Sequence, residues 1–166
     1  MNIRMIAAAA VALTGAGCAS STIHDPAMML DQDLARTARI SGVTVTTDWL
    51  NSEEDFGETF TSAVAEEMSF CANGNRPLHL KVHVQGLSRA PREAILAGAE
   101  VSHRLRAVAE LFDRGTVVGR YPLVVEAPAG QGLLAAVTDR QAVVSRAFGT
   151  ALCDAAFRSN PMSAGL

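Results

Sequence analysis

The stretch that most restricts the fold is Leu78 to Gln85. Leu78, Leu80, Val82 and Val84 alternate strictly with His79, Lys81, His83 and Gln85. A period of two is a β-strand, and this one has one apolar face and one wet face. A strand of that kind belongs to a sheet with a core on one side and solvent on the other. The core must therefore come from elements layered on a single face.

The rest of the chain supplies such elements. Ile40 to Asp48 reads as a first strand, with Val43, Val45 and Thr47 alternating with Thr44, Thr46 and Asp48. Ser52-Glu53-Glu54-Asp55 reads as a helix start, with Ser52 as cap and Asp55 in the capping-box position. Phe56, Phe60, Val64, Met68 and Cys71 then recur at helical spacing. Asn73-Gly74 and Pro77 end that helix. Val101 to Phe112 and Val117 to Val125 are predicted as two strands of a hairpin turning at Asp113-Arg114-Gly115. Pro122 cannot donate to a ladder, which predicts an edge or a bulge there. A last helix is expected from about Thr138 to Arg158, with Thr138 and Gln141 as a capping box. Its buried stripe would be Val144, Ala147, Phe148, Ala151, Leu152 and Ala155. Gly86 to Gly98 reads in two ways, as a mobile loop with a short helical turn at Arg92 to Ala97 or as a segment that includes strand extensions, and it is the candidate flexible interaction loop. The predicted class is α+β: a two-layer sandwich of about four mostly antiparallel strands with two amphipathic helices on one face.

The first residues carry a different signal. Met1-Asn2-Ile3-Arg4 is a short start with one positive charge, Met5 to Leu13 is an apolar run, and Thr14-Gly15-Ala16-Gly17 precedes Cys18. This is the layout of a secretory signal. The apolar run is far shorter than the roughly 18–20 residues that cross a bilayer. Small residues before a cysteine resemble the lipobox of bacterial lipoproteins, although Gly15 stands where that family usually has leucine. The resemblance implies acylation and cleavage at Cys18, and Ala19 after it implies sorting to the outer membrane. Two or more acyl chains anchor stably. The alternative is an ordinary signal cut nearby, which releases a soluble periplasmic protein. The expected organisation is a signal over 1–17, a lipidated tether over 18–39, one domain over 40–160 and a tail over 161–166. The element order also loosely resembles small Gram-negative envelope lipoproteins with a β-α-β-β-α core, among them auxiliary lipoproteins of envelope ABC transporters. That is likeness of fold, from which function does not follow.

If lipid takes Cys18, two cysteines remain, Cys71 and Cys153. In an oxidising compartment such a pair is a disulfide candidate. The other reading is two buried thiols acting as small apolar residues.

A search for chemistry returns little. His79 and His83 share a strand face but lie about 13 Å apart at ~3.3 Å per residue, too far for one metal ion. His103, on another strand, could approach one of them and would make two ligands at best; polar residues on a solvated sheet face are the simpler reading. There is no G-x-S-x-G elbow and no phosphate-cradling loop. Glu53, Glu54 and Asp55 fit a helix N-terminus, and Glu66 and Glu67 a solvated helix face. Net charge is −3 without a basic run, which argues against nucleic acid. Arg89, Arg92, Arg104, Arg106, Arg114 and Arg120 are scattered, and some of them could meet an acidic partner on the wet sheet face. The expectation is a non-catalytic, cofactor-free envelope protein that binds another envelope component. A lipid-binding accessory of a transport system is the alternative.

Overall fold

Alternating apolar residues build the sheet. A computed structural model describes residues 20–23, 27–48, 56–130 and 139–158. The strands are β1 (Ser20–Ile23), β2 (Ala38–Thr47), β3 (Arg76–Ser88), β4 (Ser102–Asp113) and β5 (Thr116–Pro128). They form one sheet in the order β1-β5-β4-β3-β2. β2 and β3 run parallel and every other neighbouring pair is antiparallel. The helices are α1 (Gln32–Thr37), α2 (Phe56–Ser69), α3 (Arg92–Leu96) and α4 (Arg140–Cys153). α4 continues into a wider π-helical turn over Asp154–Arg158.

α2 and α4 lie side by side on one face of the sheet. Leu78, Leu80, Val82 and Val84 point into that layer and are almost fully buried. They meet Leu105, Ala107, Ala109 and Leu111 of β4 and Tyr121, Leu123 and Val125 of β5. From the helices come Phe56, Phe60, Val64, Met68, Val144, Phe148 and Leu152. Phe60 links the two helices, with ring centroids 5.6 Å from Phe56 and 5.4 Å from Phe148. Each such side chain contributes about 1.5–3 kcal/mol by leaving water. This is the α+β sandwich that the alternation and the helical stripes predict, with the four expected strands and one more.

Several expectations are corrected. The segment read as a tether over 18–39 joins the domain: β1 pairs with β5 from Ser20↔Glu126 to Ile23↔Leu123, and Leu30, Leu34 and Ala38 enter the core. Asp31 caps α1, accepting from the N–H groups of Asp33 and Leu34 at 3.0 and 3.1 Å. The cap of α4 is Asp139, which accepts from Gln141 and Ala142. Pro122 sits inside β5, not on an edge strand. Arg120 exchanges both backbone hydrogen bonds with Met28 on the outer side, so two residues on the missing N–H of Pro122 also faces outward and the β4 ladder is intact. The Gly86–Gly98 segment contains both the strand extension and the helical turn that its sequence allows, since β3 runs on to Ser88 and α3 spans Arg92–Leu96, and it is held down where Ile95 is buried against Ala90 and Ala129. Residues 1–17, Cys18, Ser52, Asp55, Thr138 and the tail lie outside the described residues.

The Cys71–Cys153 disulfide is present. It joins the residues just past α2 to the last turn of α4 and closes a separation of 82 residues.

Candidate interaction surface

The residues that alternate with the core positions form the opposite face of the sheet. β3 contributes His79, Lys81 and His83, β4 contributes Arg104, Arg106, Val108, Glu110 and Phe112, and β5 contributes Arg120, Pro122, Val124 and Glu126. The register aligns them in cross-strand pairs, because residues opposite one another share a face. Arg104 faces Glu126 at 3.3 Å, and Arg120 faces Glu110 at 3.7 Å. The Lys81 ammonium lies 4.5 Å from the centre of the Phe112 ring. At the base of the hairpin Arg76 pairs with Asp113. These exposed pairs contribute little stability each, but they hold long side chains in place. Between them Val108 and Val124 are nearly covered.

The histidines divide between the two faces. His79 Nε2 lies 2.9 Å from the Thr44 hydroxyl. His83 lies between Thr46, 3.0 Å from Nδ1, and Asp48, 2.8 Å from Nε2. Hydroxyl, imidazole and carboxylate in that order form the relay used in nucleophilic catalysis. Here the side chains of His83 and Asp48 are 45% and 57% exposed. A catalytic relay works in a water-excluded site with donors aimed at the developing oxyanion, whereas this one lies on an open strand. The sequence reading overlooked it, although the alternation of Thr44, Thr46 and Asp48 was its visible signal. His103 does not approach the other two. It lies on the core side of β4, buried, and its Nδ1 accepts the Ala90 N–H at 3.1 Å. It fastens the α3 segment to β4. Among the described residues no group of three or more metal-ligating side chains converges.

The expected acids and cations separate by side. Glu66 is exposed on α2, where it meets Arg146 at 3.5 Å, and Glu67 lies at the seam with α4, accepting from the Thr150 hydroxyl. Arg104, Arg106 and Arg120 all reach the open sheet face. Arg114 is in the hairpin turn and Arg92 opens α3.

A groove of about 320 Å³ runs between the β2 edge and the end of α2. Ile40, Val43, Ala65, Met68 and Ala72 form its apolar walls, with Arg39, Ser69 and Asn73 among its polar lining. It opens at the edge of the sandwich, beside the core and not within it.

No protein-family model and no curated protein sequence matches this chain. Among solved structures, a single-substitution variant of the PelC dodecamer from Paraburkholderia phytofirmans aligns at 15% identity, covering 86% of this chain and 99% of that one, with a TM-score of 0.47. The PelC dodecamer itself, from the same organism, aligns over 86% of this chain and 100% of that chain at 12% identity. Its TM-score of 0.52 makes this a likeness of fold.

Proposed function

We propose that this chain is a non-catalytic interaction and assembly protein of a bacterial cell envelope. It is held at the outer membrane by lipid on Cys18 and faces the periplasm. The observation that carries this reading is the one-sided sandwich: helices cover one sheet face, and the other presents an ordered set of charges. The Cys71–Cys153 bridge supports an oxidising compartment. The small-residue leader ending at Cys18 supports attachment. Anchoring at a membrane raises the effective concentration of a domain whose individual contacts are weak. PelC, whose fold is similar, is a dodecamer, and this supports assembly from copies of the chain.

A second reading, an acyl-chain-binding accessory of lipid transport, is favoured by the groove beside α2. At about 320 Å³ it is at the small end of ligand pockets. Intact mass of the mature protein tests the anchor: diacyl or triacyl mass on a chain beginning at Cys18 is expected. An unmodified chain beginning elsewhere would make the protein soluble and periplasmic. Crosslinking in whole cells followed by purification tests the assembly role, with the chain's own multimers or another envelope protein as the expected product. Saturable uptake of a fluorescent fatty acid would favour the groove instead.

A further inference from the structure

The strand register fixes which end of the domain is nearest Cys18. Ser20 of β1 pairs with Glu126, Glu126 with Arg104, and Arg104 with Ser88, so these four residues form one row across the sheet. Beyond that row β5 runs on to Pro128, β4 arrives from Ser102, and β3 leaves toward α3. β1 is antiparallel to β5, so the chain enters β1 from this same side. Cys18 is two residues before Ser20, a reach of about 7 Å when fully extended. Adjacent strands are about 4.8 Å apart, so the row from Ser20 to Ser88 spans roughly 14 Å. The α3 segment therefore shares one end of the sheet with the attachment point. The β4–β5 hairpin is at the other end, roughly 30 Å away along β4.

α3 presents an apolar turn at that end. No charged residue occurs between Glu93 and Glu100. Leu96, Ala97, Gly98 and Ala99 are consecutive exposed residues, with Leu96 54% exposed. Among the described residues Met28, Met29 and Phe70 are also large, apolar and exposed. Met28 is level with Arg120, well down β5, with Met29 beside it, and Phe70 stands next to the Cys71–Cys153 bridge at the far end of α2. Leu96 is the one of the four beyond the row. The N–H groups of the exposed turn are satisfied internally: Ala97 donates to the Glu93 carbonyl, Gly98 to that of Ile95 and Ala99 to that of Ala94. They lose no partner on leaving water. The turn is also held in place. Ile95 packs on Ala90 and Ala129, the Ala90 N–H donates to His103, and the Ala129 N–H donates to the Val101 carbonyl.

We infer that the Leu96–Ala99 turn is a second membrane contact, seated in the surface of the bilayer that holds the Cys18 lipid. This rests on the anchored reading above and adds to it which end of the domain faces the membrane. The place where the chain leaves the domain toward Cys18 selects the bilayer as the occupant. A half-exposed leucine among uncharged residues has the chemistry of shallow interfacial insertion. An anchored domain is already at the surface, so the turn needs little affinity of its own. Lipid on Cys18 fixes the position of the domain, and Leu96 fixes its tilt. Two contacts at one end stand the strands away from the bilayer, with the hairpin at Arg114 outermost.

The test uses the mature, acylated chain in vesicles of phosphatidylcholine and phosphatidylglycerol, doped with a lipid that carries a nitroxide at headgroup depth. Cys71 and Cys153 are bridged and Cys18 carries lipid on its sulfur, so Leu96→Cys, Ala99→Cys and Arg114→Cys each supply a single free thiol for a fluorophore. Labels at 96 and 99 are expected to be quenched, about twofold or more beyond the label at 114. Leu96→Asp added to the Ala99→Cys chain should reduce quenching at 99 by about twofold or more. Leu96 is half exposed, so the fold and the Cys71–Cys153 bridge should survive that change. Acylated protein that floats with the vesicles while labels at 96 and 99 escape quenching, or while the label at 114 is quenched as strongly, would overturn this orientation and leave the anchor standing. Unchanged quenching at 99 in the Leu96→Asp chain would overturn the role of Leu96. A chain that carries no lipid and does not float would overturn the contact and the anchor together.

Discussion

The Leu30 N–H donates to the Tyr121 hydroxyl across 2.8 Å, between residues 91 positions apart. Tyr121 is fully buried in β5, so this bond ties the segment leading into α1 to the middle of the core. Tyr121→Phe keeps the ring and removes the acceptor. A buried N–H without a partner costs about 1–3 kcal/mol. A lower midpoint in urea, at unchanged cooperativity, is the expected result.

The same hydroxyl makes stability depend on alkaline pH. Burial pushes the Tyr121 phenol above its ordinary value of 10.0, and the Leu30 hydrogen bond pulls it part of the way back. The folded pKa lies above the unfolded one, so the contribution is complete below the unfolded value. It is lost as pH rises through the folded value, because the unfolded chain releases the proton first. Tyr121 is the one tyrosine in the sequence. The stability gap between wild type and Tyr121→Phe should therefore be constant below the unfolded value and narrow as pH rises above about 10. A gap that widened would contradict the sign.

This contact also shows where the sequence was readable. The faces of β3 follow directly from the alternation of Leu78 to Val84, and the stripe of α2 from Phe56, Phe60, Val64 and Met68. Those patterns are local and long enough to have a period. β1 has four residues and no period, and nothing near Leu30 in sequence points to Tyr121. Tertiary pairing decides both. Pro122 misled because the rule against proline in a ladder depends on which way the missing donor points, and that is set by the neighbouring strand. His103 misled because its polarity suggested the wet face, whereas the parity of β4 puts it on the core side with Leu105 and Ala107. On the open face, single arginines could be placed only after the β4–β5 register had paired them with glutamates.

The hairpin turn contains a correctable cost. Arg114 and Gly115 both have positive φ, 50° and 86°. A two-residue turn of this kind matches the twist of the strands and favours Asn-Gly. Arginine in the left-handed region is strained, and asparagine tolerates it better. Arg114→Asn should raise stability by about 0.5–1 kcal/mol, read as a higher thermal midpoint. Gly115→Ala should lower it by about 1–2 kcal/mol.

α2 and α4 approach each other closely at Gly149. A Cβ there would lie 2.6 Å from the Cβ of Glu67, which the backbone of α2 holds in place. Alanine favours an isolated helix over glycine by about 1 kcal/mol. Forcing the helices apart should cost about 1–3 kcal/mol. Gly149→Ala is thus expected to destabilise the domain although it improves the local helix. Chemical denaturation would decide, and a gain in stability would mean that the two helices separate easily.

The Cys71–Cys153 bridge fixes the same helix pair covalently. Cys153 is buried against Met68, and Cys71 is partly exposed just beyond α2. Closing a loop of this length in the unfolded chain corresponds to about 4–5 kcal/mol in the chain-entropy model, and measured effects are commonly about 2–4 kcal/mol. Paired Cys71→Ala and Cys153→Ala substitutions should lower unfolding free energy by that smaller amount. The sheet and both helices should still form, because Phe60 and Phe148 make the central contact between α2 and α4 without the bridge. Circular dichroism of the variant would check the fold, and urea unfolding with and without a reductant would check the magnitude. The variant should be insensitive to the reductant, whereas wild type should shift toward it. Equal unfolding curves for oxidised and reduced wild type would show that non-covalent packing alone fixes the helices, and the bridge would then mark the compartment and not the stability.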